Sequence, residues 1–282
     1  MDTERPLAPP PTVVLDARGR TLALQLGEVW AYRELLYFLA WRDFKVRYKQ
    51  TVLGAAWAIL QPVLTMVVFS VFFGFLARVP SDGLPYPVFA YTALLPWALF
   101  AHALAESANS LVNNPTLVTK VYVPRLIIPI APLFVGLVDF GVASLALIAL
   151  MVGYGVTPGP ALLAAPLFVA LAVLTAFAVG VWLAALNVQY RDVRYTIPFL
   201  IQLWLFATPV AYPASLLPEP WRTLYGLNPM AGVVEGFRWA LLGRGAGGSA
   251  ALVSLSVVAV LALLVGGLRY FARAERSFAD LA

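Results

Sequence analysis

Residues 50–77 read QTVLGAAWAILQPVLTMVVFSVFFGFLA, and no charged side chain lies between Lys49 and Arg78. About 20 apolar residues in a helix cross the roughly 30 Å hydrocarbon core of a bilayer, so this run is long enough for one crossing. It is continuously apolar and does not alternate, which argues against a barrel strand. A helix satisfies its backbone polar groups within the segment, as lipid demands. The same reading extends outward. No charge lies between Asp82 and Glu106, and Leu126 to Met151 is apolar apart from Asp139. After Asp139 no charge appears until Arg191, and the turn-rich stretch Gly153 to Pro160 divides that run in two. Tyr195 to about Tyr212 reads as a fifth span and Gly245 to Leu268 as a sixth. The expectation is an all-α integral membrane protein with six transmembrane helices.

Composition agrees. Of the 282 residues, 61% are hydrophobic and 12% charged, against roughly a quarter charged in soluble domains. The chain has no cysteine and a single histidine, His102, so thiolate chemistry and disulfides are excluded and no metal site is expected. The net charge of +5 is carried by residues between apolar runs, which points away from nucleic acid. Met1 to Pro11 is proline-rich and lacks the apolar segment of a cleavable signal.

Lysine and arginine placement sets the orientation. Six spans put residues 1–52, 109–125, 187–194 and 269–282 on one side, and these hold 8, 2, 2 and 3 of the 19 basic residues. That side is expected to be cytoplasmic, with both termini on it.

Three segments outside the spans carry information. In residues 28–50, Trp30, Tyr37, Trp41, Phe44 and Tyr48 recur at helical spacing, with Arg42, Lys45 and Lys49 on another face. This predicts an amphipathic helix in the membrane interface, the alternative being a helix packed on a cytoplasmic partner. Residues 12–26 are read as a small hairpin. Residues 209–243 contain Pro213, Pro218, Pro220 and Pro229 among aromatics. They are expected to form two short helices, about 214–226 and 229–242, that re-enter the outer leaflet, with Asn228-Pro229 at the turn. Residues 113–125 (NNPTLVTKVYVPR) are expected to hold a short helix begun by Asn114-Pro115 and stopped by Pro124.

No G-x-x-x-x-G-K-[ST] motif occurs, so ATP binding through a P-loop is not a property of this chain. Gly243 to Gly248 matches G-x-G-x-x-G in form but follows no strand, and reads as a connector. No catalytic constellation is present. Asp192 lies between Arg191 and Arg194, which predicts local ion pairs. Asp139 and Glu106 sit within spans, where a charge costs about 2.5–3.5 kcal/mol on insertion scales. Asp139 is read as a helix-contact residue near Gly136 and Gly141, and Glu106 as reaching water.

The stretch Tyr32 to Gly54 (YRELLYFLAWRDFKVRYKQTVLG), then Trp57 to Pro62 (WAILQP), resembles the membrane subunit of polysaccharide and polyol-phosphate ABC exporters of the O-antigen or teichoic-acid type. Lys120 to Arg125 (KVYVPR), Tyr190 to Tyr195 (YRDVRY), Thr208 to Pro213 (TPVAYP) and Asn228 to Met230 (NPM) continue the resemblance in order. It runs from about residue 28 to 271, and Val123 departs from the phenylalanine more common there.

The resemblance implies a type-2 ABC exporter permease that pairs as a homodimer and docks two copies of a separate ATPase. ATP and magnesium then belong to that partner, and no cofactor to this chain. The implied cargo is a glycan on undecaprenyl diphosphate, moved outward across a bacterial inner membrane. The implied organisation is an N-terminal extension (1–27), the interface helix (28–50), a permease domain (51–271) with gate helices at 213–242, and a cytoplasmic tail (272–282). Coupling to the ATPase falls to Asn114, Leu117, Val118, Lys120, Val121, Tyr122, Arg125, Arg191, Asp192 and Arg194. Arg42, Lys45, Arg47 and Lys49 would meet the lipid carrier. Trp57, Phe69, Phe72, Phe73, Phe199, Trp204 and Phe206 would offer rings to sugar faces along the channel. Tyr212, Trp221, Tyr225, Asn228 and Pro229 would form the gate. Two other classes stand beside this reading. A polyprenyl-dependent glycosyltransferase would use acidic loop residues, but Asp82, Glu219 and Glu235 are widely spaced. A proton-coupled carrier would show internal repeats, and none is detectable.

Overall fold

The computed structural model describes residues 22–49, 54–121, 123–243, 250–275 and 278. The long helices follow the apolar runs, and no strand occurs among the described residues. The hairpin expected at 12–26 lies mostly outside the described residues, and its last part is helical instead. α1 (Leu22–Ala31) and α2 (Arg33–Lys49) replace the single interface helix, with a break at Tyr32.

Among the described residues, five helices are long and apolar enough to cross a membrane: Ala56–Leu76, Tyr86–Asn113, Ile127–Gly153, Pro160–Gln189 and Ala250–Ala274. The first is α3 (Gly54–Phe69), continued by a π-helical stretch over Ser70–Leu76. The second, α4 (Tyr86–Asn113), opens with a proline in its first turn, where the missing N–H costs nothing. A short helix α5 (Pro115–Lys120) then leads to α6 (Ile127–Gly153). A 3-10 turn (Pro160–Ala164) opens α7 (Ala165–Gln189).

The predicted fifth span differs. α8 (Val193–Phe206) has only 14 residues, about 21 Å at 1.5 Å per residue, and the chain breaks into turns over 207–213. Thr208, Pro209 and Pro213 explain the stop, since proline supplies no donor to continue the ladder. The helix expected over 214–226 is likewise fragmentary: a 3-10 turn at Ala214–Leu216, α9 (Trp221–Leu224), and a second turn at Tyr225–Leu227. Pro218 and Pro220 interrupt it, and the Glu219–Pro220 peptide is cis. α10 (Pro229–Leu242) matches its predicted range and α11 (Ala250–Ala274) completes the fold.

α4 is the central helix. It packs on α3, α6, α7, α8 and α10, while α11 packs on α7 and α10. Its side chains from Val88 to Leu111 are mostly buried, whereas α3 leaves Leu64 and Val68 uncovered, and its π-helical continuation Phe72 and Phe75. Small residues let the helices approach, as expected where apolar surface alone gives no drive to associate. A side-chain carbon added at Gly180 would lie 2.6 Å from Ser107 Oγ, and one at Gly267 would lie 2.6 Å from the Trp182 ring. Polar contacts cross the same seams: Tyr91 Oη donates to the Ala143 carbonyl (3.0 Å), and Asn187 Nδ2 to the Ala108 carbonyl (3.0 Å).

Candidate functional site

Two clusters lie at opposite ends of the bundle. The first surrounds the end of α8. The carbonyls left by the broken helix are taken up by side chains. Tyr212 Oη donates to the Phe206 carbonyl (3.1 Å), and Tyr225 Oη (2.8 Å) and Asn228 Nδ2 (2.7 Å) share the Ala207 carbonyl. The two phenols are 2.8 Å apart. Burial, reinforced by that contact, pushes the Tyr225 phenol well above its ordinary pKa. Trp204 Nε1 donates to Asn228 Oδ1 (2.8 Å), the atom that also caps α10 by accepting from Met230 N (3.1 Å). Pro229 begins α10 and Gly243, at φ 65°, ends it in the left-handed conformation that glycine tolerates.

α10 is buried along nearly its whole length. A carbon added at Gly236 would lie 1.9 Å from the Phe168 ring, and one at Gly232 would lie 2.2 Å from Ser256 Oγ, so these glycines press α10 onto α7 and α11. On the same helix Glu235 and Arg238 form a fully buried ion pair at 2.8 Å. Arg238 Nη2 also donates to the Val210 carbonyl (2.8 Å), its guanidinium lies 3.7 Å over the Phe89 ring, and Glu235 Oε1 accepts from Ala214 N (3.2 Å). One ion pair therefore joins α10, α4 and the broken segment. Outside it, Glu219 accepts from Arg222 (2.8 Å) and Thr223 (2.9 Å), which hold its carboxyl below the usual range.

The second cluster lies where α2 meets α4, α5 and α6. Leu39 of α2 packs with Ile127 and Ala131 of α6. Asp139 of α6 pairs with Arg47 of α2 at 2.7 Å and accepts a hydrogen bond from Tyr48, and Arg47 Nη1 lies 3.1 Å from His102 Nε2. Burial, helped by the bond to Asp139, pushes the Tyr48 phenol up to about 12. Arg42 holds Asp43 through Nε (3.0 Å) and Nη2 (2.8 Å), and Nη2 also reaches Asn114 Oδ1 (3.0 Å) at the start of α5. Asn114 in turn donates to the Ser110 carbonyl (2.9 Å). A cavity of about 250 Å3 between these helices is lined by Arg42, Asp43, Glu106, Asn114 and Leu117. On the outer flank of α2 an open groove of about 410 Å3 is lined by Phe38, Trp41, Arg42, Lys45, Val46 and Lys49.

The description "ABC-2 type transporter" matches residues 34–242. The chain belongs to the ABC-2 type transporter family. Its ABC-2 type relatives include the O-antigen export system permease protein RfbA of Myxococcus xanthus, 30% identical over 251 residues that cover 88% of this chain and 95% of the relative. RfbA of Klebsiella pneumoniae is 27% identical, again over 88% of this chain and 95% of the relative. The polysialic acid transport protein KpsM of Escherichia coli is 21% identical over 83% of this chain and 91% of the relative. These are transport proteins by name, not enzymes. An ABC-2 type chain is a multi-pass membrane protein, as the apolar runs predict.

The predicted residues of this ABC-2 type chain distribute unevenly. Tyr212, Tyr225, Asn228 and Trp204 meet in one hydrogen-bonded knot, while Trp221 points outward, 64% exposed. Trp204 packs edge-on against Phe100 at 5.0 Å, and Phe69 packs against Phe73 at 5.2 Å inside the bundle. Trp57, Phe72, Phe199 and Phe206 are each more than half exposed. On α5, Lys120 and Val121 are exposed, Leu117 is half-buried and Val118 is buried. Tyr122 lies outside the described residues. Arg125 is half-buried and faces the chain terminus: it donates to the Glu275 carbonyl, and its guanidinium lies 5.9 Å over the Phe278 ring. Arg191, Asp192 and Arg194 are exposed, and no ion pair joins Asp192 to either arginine among the described residues. Of the four cations assigned to one lipid-facing cluster, Arg42, Lys45 and Lys49 share the groove, whereas Arg47 turns inward to Asp139. Asp139 is thus a contact residue as read, but toward α2 rather than beside Gly141, whose added carbon would meet nothing within 4 Å.

Sequence reading missed the Glu235–Arg238 pair, which it placed on the outer side as isolated charges. It also missed Gly232 and Gly236. Their four-residue spacing is the available signal, since small residues at i and i+4 mark close helix contacts in membranes.

Proposed function

We propose that this chain is the transmembrane permease subunit of an ATP-driven exporter that moves a polysaccharide linked to undecaprenyl diphosphate from the cytoplasmic to the outer face of a bacterial inner membrane. The observation that carries the reading is the alignment with polysaccharide export permeases over nearly the whole chain, in a sequence with no P-loop of its own. Two copies pair around one conduit, each docked on a separately encoded ATPase. Both termini are cytoplasmic, as the basic-residue count supports.

The sixth crossing is completed by α8 together with the turns at 207–213, and α10 is a gate helix that re-enters from the outer side. Its burial and the internal capping of the broken backbone support this, because irregular backbone at membrane depth must be satisfied by protein. The exposed face of α5, with Lys120 and Val121 beside Leu117, is the docking knob. Asn114, Val118 and Arg125 support it, Tyr122 belongs to the same docking set by its place in the sequence, and the exposed loop Arg191, Asp192 and Arg194 lies on the same cytoplasmic side. Trp57, Phe72, Phe199 and Phe206 offer rings to sugar faces. The groove of Arg42, Lys45 and Lys49 takes the diphosphate of the carrier lipid, its cations facing the anion and Phe38 and Trp41 its hydrocarbon.

The test is co-purification. The chain is expected to retain an ABC ATPase from native membranes, and Lys120→Glu with Val121→Asp to release it. Export by the chain with no ATPase bound would overturn the reading. Because the chain has no cysteine, single cysteines at 120 and 191 report topology cleanly, and labelling of either from the outer face would overturn the orientation.

A further inference from the structure

Arg42 lines both the outer groove and the inner cavity. It is the one described side chain of the groove that also bonds to the segment opening α5. Its guanidinium spends Nε and Nη2 on Asp43 and Asn114, and Nη1 has no partner among the described residues. We propose that Arg42 is a positioning residue that relays occupancy of the groove by a lipid diphosphate to the ATPase-docking helix α5, through its bond to Asn114.

The proposal rests on the lipid-carrier reading of the groove and adds to it. A phosphate entering between Lys45 and Lys49 takes the open Nη1 with one oxygen, and its second oxygen, held in the same bidentate pair, competes with the Asp43 carboxylate and the Asn114 amide at Nη2, because charge-assisted bonds to phosphate are about twice as strong as neutral ones. The Asn114 bond is the weaker of the two that Arg42 holds, since its acceptor is uncharged. It is therefore the first to yield. Asn114 is the residue immediately before α5, and its side chain is held on the other side only by the Ser110 carbonyl. Losing Arg42 lets the start of α5 turn relative to α2. Lysine cannot perform this exchange: it offers a point charge and no fork that holds two acceptors in fixed geometry.

The experiment uses the complex of this chain with its ATPase subunit in nanodiscs of phosphatidylethanolamine and phosphatidylglycerol. Undecaprenyl diphosphate is titrated, and two quantities are read: bound lipid by native mass spectrometry, and the ratio of ATPase rates with and without it. Arg42→Lys is expected to weaken binding by up to about tenfold, since the fork is lost while the cation stays, and the stimulation ratio read at saturating lipid is expected to fall at least about fivefold toward one. The number of ATPase subunits retained per complex, read in the same mass spectra, separates this loss from a docking defect. Asn114→Leu is expected to lose the same ratio, Asn114→Asp, whose charged acceptor would not yield to the phosphate, to lose it as well, and the double variant Arg42→Lys/Asn114→Leu to be no worse than either single. Unchanged stimulation in Arg42→Lys, with binding still dependent on Lys45 and Lys49, overturns the relay and leaves the lipid reading standing. Binding that survives Lys45→Ala/Lys49→Ala overturns both. Inorganic diphosphate is expected to give no stimulation, and equal stimulation by it would place the ligand in solution and overturn the proposal.

Discussion

Arg238 reaches from α10 to the carbonyl of Val210, 2.8 Å away, in the segment where α8 has already stopped. A helix that gave up its own ladder is completed by a cation from another helix, and that cation is kept buried by Glu235 at 2.8 Å. Taking away one member of a buried pair costs about 3–5 kcal/mol, whereas replacing both with apolar groups of similar volume is often neutral. Arg238→Met is therefore expected to lower unfolding stability in detergent by about 3–5 kcal/mol. Glu235→Leu/Arg238→Met should recover part of that loss, though the Val210 carbonyl stays without its donor. A loss in Arg238→Met no larger than the roughly 0.5 kcal/mol of a surface change would show that the pair does not hold this segment.

Gly236 allows α10 to touch α7. An added methyl would stand 1.9 Å from the Phe168 ring, so Gly236→Ala forces a backbone shift and is expected to cost about 1–3 kcal/mol. Phe168→Leu in the same background should return some of it. Gly141→Ala is the control, because nothing lies within 4 Å of the new carbon. That change should be neutral or stabilising by about 0.5–1 kcal/mol, as for any helical glycine made alanine. Equal effects at 236 and 141 would contradict the close contact.

The seam between α2 and the bundle is held by charge. Asp139→Asn removes the anion from Arg47 and is expected to raise protease sensitivity within α2 more than within α4. The Tyr48 phenol bonds to Asp139 and is favoured in its neutral form, so the folded chain holds its proton more tightly than the unfolded chain does. The stabilisation is present in full below pH 10, the ordinary phenol value, and is lost as pH rises toward about 12. The difference in tyrosinate absorbance between the native chain and Tyr48→Phe should therefore show a midpoint near 12. A midpoint at 10 would mean that Tyr48 is open to water.

The spans were legible because a charge-free run of bilayer length has few other uses, and five of the runs became helices of the expected extent. The remaining one, the predicted fifth span, was misjudged at its end, since a charge-free run was carried through Thr208 and Pro209, where the helix has already stopped. Arg47 was misassigned for a geometric reason. At 100° per residue, Arg42, Lys45 and Lys49 fall on one flank of α2 while Arg47 falls on the other, toward Asp139. Tyr212, Tyr225 and Asn228 were singled out by motif order, but their shared role as donors to the Phe206 and Ala207 carbonyls depends on contacts across 6 to 21 residues of chain. Glu235 and Arg238 stayed hidden because two polar letters in a proline-rich connection look solvated, and only packing reveals them as interior.

Arg125 has a practical implication. Its guanidinium rests on Phe278 and bonds the Glu275 carbonyl, while Phe278 packs edge-on against Phe271 at 5.4 Å. The carboxyl-terminal turn is thereby sewn to the loop that leaves α5. Trimming the chain after Ala274, or appending a bulky fusion there, takes the buttress from beneath that loop, so the choice of tag alone would change how the loop after α5 is held.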